Sequence, residues 1–214
     1  MGLFDFLKRK TQKGNSSYDR SSDYESAYQN NDLTSIELLI FDSIGINLPE
    51  EKLTNNHDKN SIIFNQFITT TNILTQETKE YMHFSFYNIG NEMQRRSNDE
   101  FAIKLYNRAL FYNSNPSALS NMATSYKKIG DIQKSLEAYK LTFSSFPNYL
   151  NGYLRYLKVG LANEKLTFNE CKEALDKYFM YGGTKENIEY FINDPQADIK
   201  ERKTLNDFYI KYNS

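Results

Sequence analysis

Cysteine occurs once, at Cys171, and tryptophan not at all. A lone thiol excludes an internal disulfide framework and a cysteine-rich zinc site, and it fits a reducing compartment, so a cytoplasmic protein is expected. Histidine occurs twice, at His57 and His83. With one cysteine these make a poor ligand supply, so neither a metal nor a cofactor is expected. Proline (4) and glycine (9) are scarce among 214 residues, which favours helices over a turn-dense sandwich. No apolar run reaches the roughly 18 residues a membrane span needs. The first ten residues carry their charge after the apolar part, the reverse of a secretory signal. Neither sign of charge dominates: 26 Lys and Arg stand against 27 Asp and Glu, a net charge of −1. Bulk charge therefore gives no reason to expect a nucleic-acid partner. Phosphate-loop, dinucleotide-binding, zinc-protease and nucleophile-elbow motifs are all missing. No catalytic residue stands out, and an enzyme is not expected.

Aromatic residues are abundant instead, with 17 Tyr and 15 Phe making 15% of the chain. That is enough large apolar surface to build a core. Three regions are expected. Residues 1–26 form a basic amphipathic start and a polar linker. Residues 27–75 form a helical extension. Residues 76–214 form the main helical domain. In the first region Leu3, Phe4, Phe6 and Leu7 share an apolar face and Lys8, Arg9 and Lys10 follow it. This pattern suits weak peripheral contact with an anionic membrane surface, at the inner face of the membrane for a cytoplasmic protein.

Helix ends are legible along most of the chain. Residues 32–44 have 3–4 apolar spacing, 45–60 read as a polar loop, and 61–74 lean towards helix despite their β-branched content. A helix over 76–96 ends in two arginines. Ser97 to Glu100 reads as a capping box, and so does Thr167 to Glu170. Asn115-Pro116 reads as a cap followed by proline at the first helical position. Gly130-Asp131 ends one helix and caps the next, Phe146-Pro147 opens another, and Gly182-Gly183 stops one. Asp194-Pro195 is expected to cap a last helix whose stripe is Ile199, Leu205, Phe208, Tyr209 and Tyr212. The expected fold is all-α, built of antiparallel helix pairs.

Self-comparison sharpens this. Phe86 and Leu119, Gly90 and Ala123, Met93 and Tyr126, Ala102 and Ser135, and Tyr106 and Tyr139 are each 33 residues apart. Small residues recur where two helices would approach, and large ones where gaps would be filled. A looser third unit places Tyr153, Tyr156 and Leu157 on its first helix and Ala174 and Tyr178 on its second. Its connection is longer, and Gly160 stands where a large residue is expected. Over residues 83–181 the pattern resembles the tetratricopeptide repeat, a helix pair of about 34 residues. The resemblance implies a short solenoid in which the last helix caps the stack.

The resemblance also implies that first-helix residues line a concave peptide-binding groove. In the first unit these are Phe84, Tyr87, Asn88, Asn91, Gln94 and Arg95. In the second they are Ser117, Ser120, Asn121, Thr124, Lys127 and Lys128, and in the third Asn151, Leu154, Arg155 and Lys158. The basic members outnumber the acids, which suits a protein or peptide partner of acidic character. One subtype of the family grips a C-terminal carboxylate with five side chains. Asn91, Asn121 and Arg155 fall on three of those positions, but Tyr87 and Asn151 replace the two lysines. The function implied is a non-enzymatic adaptor or scaffold. A second class stays open on the sequence: a bacterial immunity-type inhibitor that neutralises a toxin by tight stoichiometric binding.

Overall fold

The computed structural model describes residues 26–27, 29–44 and 74–214. The amphipathic start with Leu3, Phe4, Phe6, Leu7, Lys8, Arg9 and Lys10 lies outside the described residues, as do His57, the loop at 45–60 and residues 61–73. The described residues form helices and turns without a strand. They belong to two compact units, one ending at Ser114 and the other beginning at Asn115.

The first unit contains α1 (Leu33–Ser43), α2 (Gln76–Arg95) and α3 (Asp99–Tyr112). Asp32 starts α1 by accepting the Ser35 amide at 3.0 Å, and Thr75 starts α2 by accepting that of Thr78 at 3.1 Å. Helices α2 and α3 form a hairpin. Its seam is tight at Gly90, where a Cβ would stand 2.7 Å from the Tyr106 ring. Ile36, Ile40 and Phe41 of α1 are fully buried. Phe41 meets Tyr112 edge-on at 6.3 Å. Three such side chains stabilise the docked helix by roughly 1.5–3 kcal/mol each.

The second unit contains α4 (Pro116–Lys128), α5 (Ile132–Ser145), α6 (Asn151–Ala162), α7 (Phe168–Met180), α8 (Lys185–Asn193) and α9 (Ile199–Asn213). Helices α4 and α5 form a hairpin, α6 packs on α5 and α7, and α9 packs on α6. Phe143 stacks on Tyr153 at 4.4 Å, joining α5 to α6. Phe208 of α9 meets Phe168 at 5.5 Å, and the Tyr212 hydroxyl donates to Asp176 at 2.7 Å, so the last helix is fixed to α7.

The first helix of each pair ends in the same way. Ser97, Gly130 and Glu164 have φ of 60°, 84° and 55°. In each case the next residue's amide reaches back to close the helix: Asn98 to the Met93 carbonyl, Asp131 to that of Tyr126, and Lys165 to that of Gly160, all at 2.9 Å. This is a Schellman closure repeated at intervals of 33 and 34 residues. Only the middle copy has the glycine that the left-handed conformation favours.

Several expected boundaries change. Ser97 does not cap α3: its left-handed backbone belongs to the end of α2, and the N-cap residue Asn98 makes no side-chain cap bond. Helix α6 begins at Asn151 rather than at Pro147, because a turn intervenes in which the Tyr149 amide donates to the Phe146 carbonyl at 2.9 Å. Asp194 does not cap the last helix. Its Oδ1 accepts the Gln196 amide in a local turn at 3.0 Å, while Asp198 caps α9 by accepting the amides of Lys200 and Glu201 at 2.8 and 3.1 Å. Helix α8, which the sequence reading does not place, fills the interval. The caps at Asn115, Asp131 and Thr167 form as expected, the last as a full capping box.

Candidate functional site

In the first unit Tyr87, Asn91 and Arg95 lie along α2. The Tyr87 ring stacks on that of His83 at 6.2 Å. Asn91 accepts the Tyr106 hydroxyl at 2.8 Å, so its carboxamide braces the hairpin. Arg95 pairs with Glu92 at 2.9 Å in an exposed intrahelical bridge, worth about 0.3–0.5 kcal/mol. His83 is buried, with Nδ1 against the Ala109 carbonyl at 3.0 Å.

The second unit repeats the tyrosine bond 33 residues later. The Tyr139 hydroxyl and Thr124 Oγ1 are 2.9 Å apart. Thr124 donates its own proton to the Ser120 carbonyl at 3.0 Å, so Tyr139 is the donor. Around this pair opens a cleft of about 510 Å³. Helix α4 supplies Thr124 and Lys127, and α6 supplies Asn151, Arg155 and Lys158. The remaining wall comes from Tyr190 and Phe191 of α8, the turn with Asp194 and Asp198, and Glu201 of α9. The structure thus gathers five of the sixteen expected groove residues, Thr124, Lys127, Asn151, Arg155 and Lys158, around one cleft. Asn121 and Lys128 are on α4 but do not line it. Ser120 and Leu154 are buried, each 1% exposed, and leave the expected face altogether.

Charge in the cleft is unevenly matched. Glu201 receives Lys127 Nζ at 2.8 Å and faces Lys158 Nζ at 3.8 Å. Among the described residues Arg155 reaches no carboxylate within ion-pair distance: its Nη1 donates to Thr124 at a long 3.4 Å, and its buried Nε has no hydrogen-bond partner there. The two rim acids are engaged elsewhere, Asp194 in its turn and Asp198 as the α9 cap. Burial pushes the Lys158 ammonium below the usual lysine value, Lys127 and Arg155 push it the same way, and Glu201 and Asp194 oppose them. The Lys158 side chain also lies over the Phe191 ring, 5.5 Å from its centre, where the ring face favours a cation.

Cys171 is a different kind of residue. It is fully buried in α7, and burial, helped by Glu170, pushes its thiol up to about 12. That is the opposite of the activation a nucleophilic thiolate needs. Among the described residues, no group of three or more His, Cys, Asp and Glu side chains could hold a metal ion. No helix among the described residues is long and apolar enough to cross a membrane.

The expected last-helix stripe needs one correction that matters for the site. Ile199 is 74% exposed, whereas Glu201, Leu205 and Phe208 are buried. The inward face therefore runs 201, 205, 208 and 212, and an acid occupies its first position. That spacing of 4, 3 and 4 is visible in the sequence, and an acid on an otherwise apolar stripe is the signal for Glu201.

Neither a family model nor a curated protein matches the chain. Among solved structures it is similar to the Sgt2 TPR domain from Aspergillus fumigatus, with 23% identity, a TM-score of 0.44, and coverage of 61% of this chain and 79% of that one. The helix-pair reading rests on features internal to this chain: the 33-residue spacing, the repeated closures and the repeated tyrosine bond.

Proposed function

We propose that this protein is a non-enzymatic interaction module that binds an acidic segment of a protein partner in the cleft between α4, α6 and the C-terminal helices. The observation that carries this reading is the gathering of Lys127, Arg155 and Lys158 in one concavity where, among the described residues, Glu201 alone pairs with the two lysines and no carboxylate pairs with Arg155. Arg155 supports it most, since a guanidinium offers a planar fork of donors to a carboxylate. Asn151 and Asn187, also on the lining, add amide groups that can pair with a peptide backbone. Such a module acts by equilibrium binding, as an adaptor or scaffold.

The test is affinity capture from native lysate with the wild type beside Arg155→Glu, each first shown to be helical and to melt cooperatively. The expected result is a partner that wild type retains and Arg155→Glu loses. A partner held equally by both proteins contradicts the cleft assignment and moves the interface to another face, as an immunity-type complex would.

A further inference from the structure

The carboxylate that pairs with the lysines of the cleft has an unusual origin. It comes neither from the hairpins that carry the cations nor from an intrahelical neighbour, but from the first turn of α9. Glu201 lies 74 residues beyond Lys127 in the chain and bridges two lysines on different helices. Its side chain is 10% exposed, while that of Lys127 is 33% exposed and opens on solvent. The cap carboxylate of Asp198 holds the Glu201 backbone amide at 3.1 Å, independently of the side chain. Farther along α9, Leu205 and Phe208 are buried and Tyr212 is bonded to Asp176. The helix therefore has anchors of its own. None of these anchors depends on the Glu201 carboxylate, so α9 keeps its seat when that carboxylate leaves the lysines.

We infer that the Lys127–Lys158 pair is a subsite for an acidic side chain of the partner, and that in the free protein Glu201 fills it as an internal substitute. This rests on the cleft being the binding site and adds a mechanism to it. The partner's acid exchanges with Glu201, so the chain holds its own affinity down until a ligand with enough carboxylates competes. Two physical points favour exchange over permanent closure. Lys158 is only 9% exposed, and a buried ammonium left without a carboxylate is costly, so some carboxylate is favoured beside it in either state. Displaced Glu201 remains on the first turn of α9, where the positive end of the helix dipole still favours a negative charge. The internal acid is thus retained against loss of the lysines, yet it has somewhere favourable to go.

The experiment uses the full chain and a dye-labelled peptide of six glutamates, amidated so that it lacks a terminal carboxylate, with its glutamine counterpart as control. Fluorescence anisotropy gives the affinities. Glu201→Gln is expected to bind the acidic peptide about tenfold tighter than wild type, because one competing charge has been removed. Lys127→Ala is expected to lose most of that gain when combined with it. An equal or weaker affinity in Glu201→Gln overturns exchange. Should that variant fail to melt cooperatively, wild type labelled with carbon-13 at its glutamate carboxyl carbons decides the matter. The Glu201 resonance, assigned by its absence in Glu201→Asp, is expected to shift as peptide saturates, and a static resonance overturns the inference. If neither protein binds the peptide, the carboxylate subsite falls, whereas capture of a partner dependent on Arg155 would leave the broader proposal standing.

Discussion

Two added helices, α1 and α9, are each joined to helices of their own unit through a buried glutamate, and the two joints differ in kind. In the first unit Glu37 receives Arg108 Nε at 2.5 Å and the Tyr112 hydroxyl, and the side chains of Glu37 and Arg108 are 5% and 11% exposed. Arg108 also lies over the rings of Phe111 and Tyr112, 4.4 and 5.3 Å from their centres. Burial pushes Glu37 above the usual carboxylate range, with Arg108 and Tyr112 opposing it, and burial and the neighbouring Glu37 push the Tyr112 hydroxyl up as well. Every group in that cluster is held by another. In the second unit Glu201 faces two lysines in an open cleft, beside an arginine that no carboxylate among the described residues meets. The same residue type therefore serves as a closed fastening in one place and as an exchangeable contact in the other. The exposure of one cation separates them: Lys127 is 33% exposed, against 11% for Arg108.

Removing each glutamate measures the difference. Glu37→Ala leaves the Arg108 charge buried without its partner and is expected to cost about 3–5 kcal/mol, read as a fall in Tm or denaturant midpoint. Glu201→Ala is expected to cost less, roughly 1–2 kcal/mol, because Lys127 can turn to water while Lys158 loses its nearest carboxylate. Equal costs would erase the distinction between the two joints.

The hairpin seams offer a second comparison. Gly90→Val forces a side chain into the Tyr106 ring, already 2.7 Å from where a Cβ would lie. It is expected to destabilise by about 1–3 kcal/mol. Gly160 is crowded by Leu166 from the long connection rather than by a ring, with a Cβ position 2.2 Å from Leu166 Cδ1. Pairing Gly160→Ala with Leu166→Ala should therefore recover part of the loss from Gly160→Ala alone, as a double-mutant cycle would show.

Alkaline pH probes the interior of the second unit. Burial, aided by Glu170, holds Cys171 and Tyr156 up at about 12, against unfolded values of about 8.5 and 10. For groups with raised values the stabilisation is complete below the unfolded values and is lost as pH climbs towards the folded ones. Stability is expected to decline progressively between about pH 9 and 12. Cys171 should resist iodoacetamide at pH 8 until the protein is unfolded.

The smallest effect concerns the repeated closures. Ser97→Gly and Glu164→Gly relieve left-handed strain of the kind Gly130 avoids, and each is expected to stabilise by up to about 1 kcal/mol. Gly130→Ala should do the reverse, although nothing crowds its Cβ position.

The helix pairs were legible because their signals are local. Caps at Asn115, Asp131 and Thr167 lie within three residues of the amides they bind, and the 33-residue period survives in plain residue types. Ser97 misleads because serine serves both as an N-cap and, less often, as a left-handed closing residue. Only the next helix's position decides between them. The C-terminal part was harder. Asp194-Pro195 has the composition of a helix start, yet Asp198 makes the cap, and α8 is a nine-residue helix with one fully buried apolar side chain, Ile188. About a third of the candidate site's lining is legible in the sequence. Thr124, Lys127, Asn151, Arg155 and Lys158 follow from the spacing of first-helix faces. Glu201 depends on how α9 packs, a long-range fact that periodicity hints at but cannot place.

The most direct test of the account is to map where an acidic partner segment binds. Backbone amide resonances of the full chain, titrated with the acidic segment of the captured partner, should shift together at Thr124, Lys127, Asn151, Arg155, Lys158 and Glu201. Shifts confined to the outer residues of α5, or to α2 and α3, would contradict the claim that the α4–α6 cleft is where this protein binds.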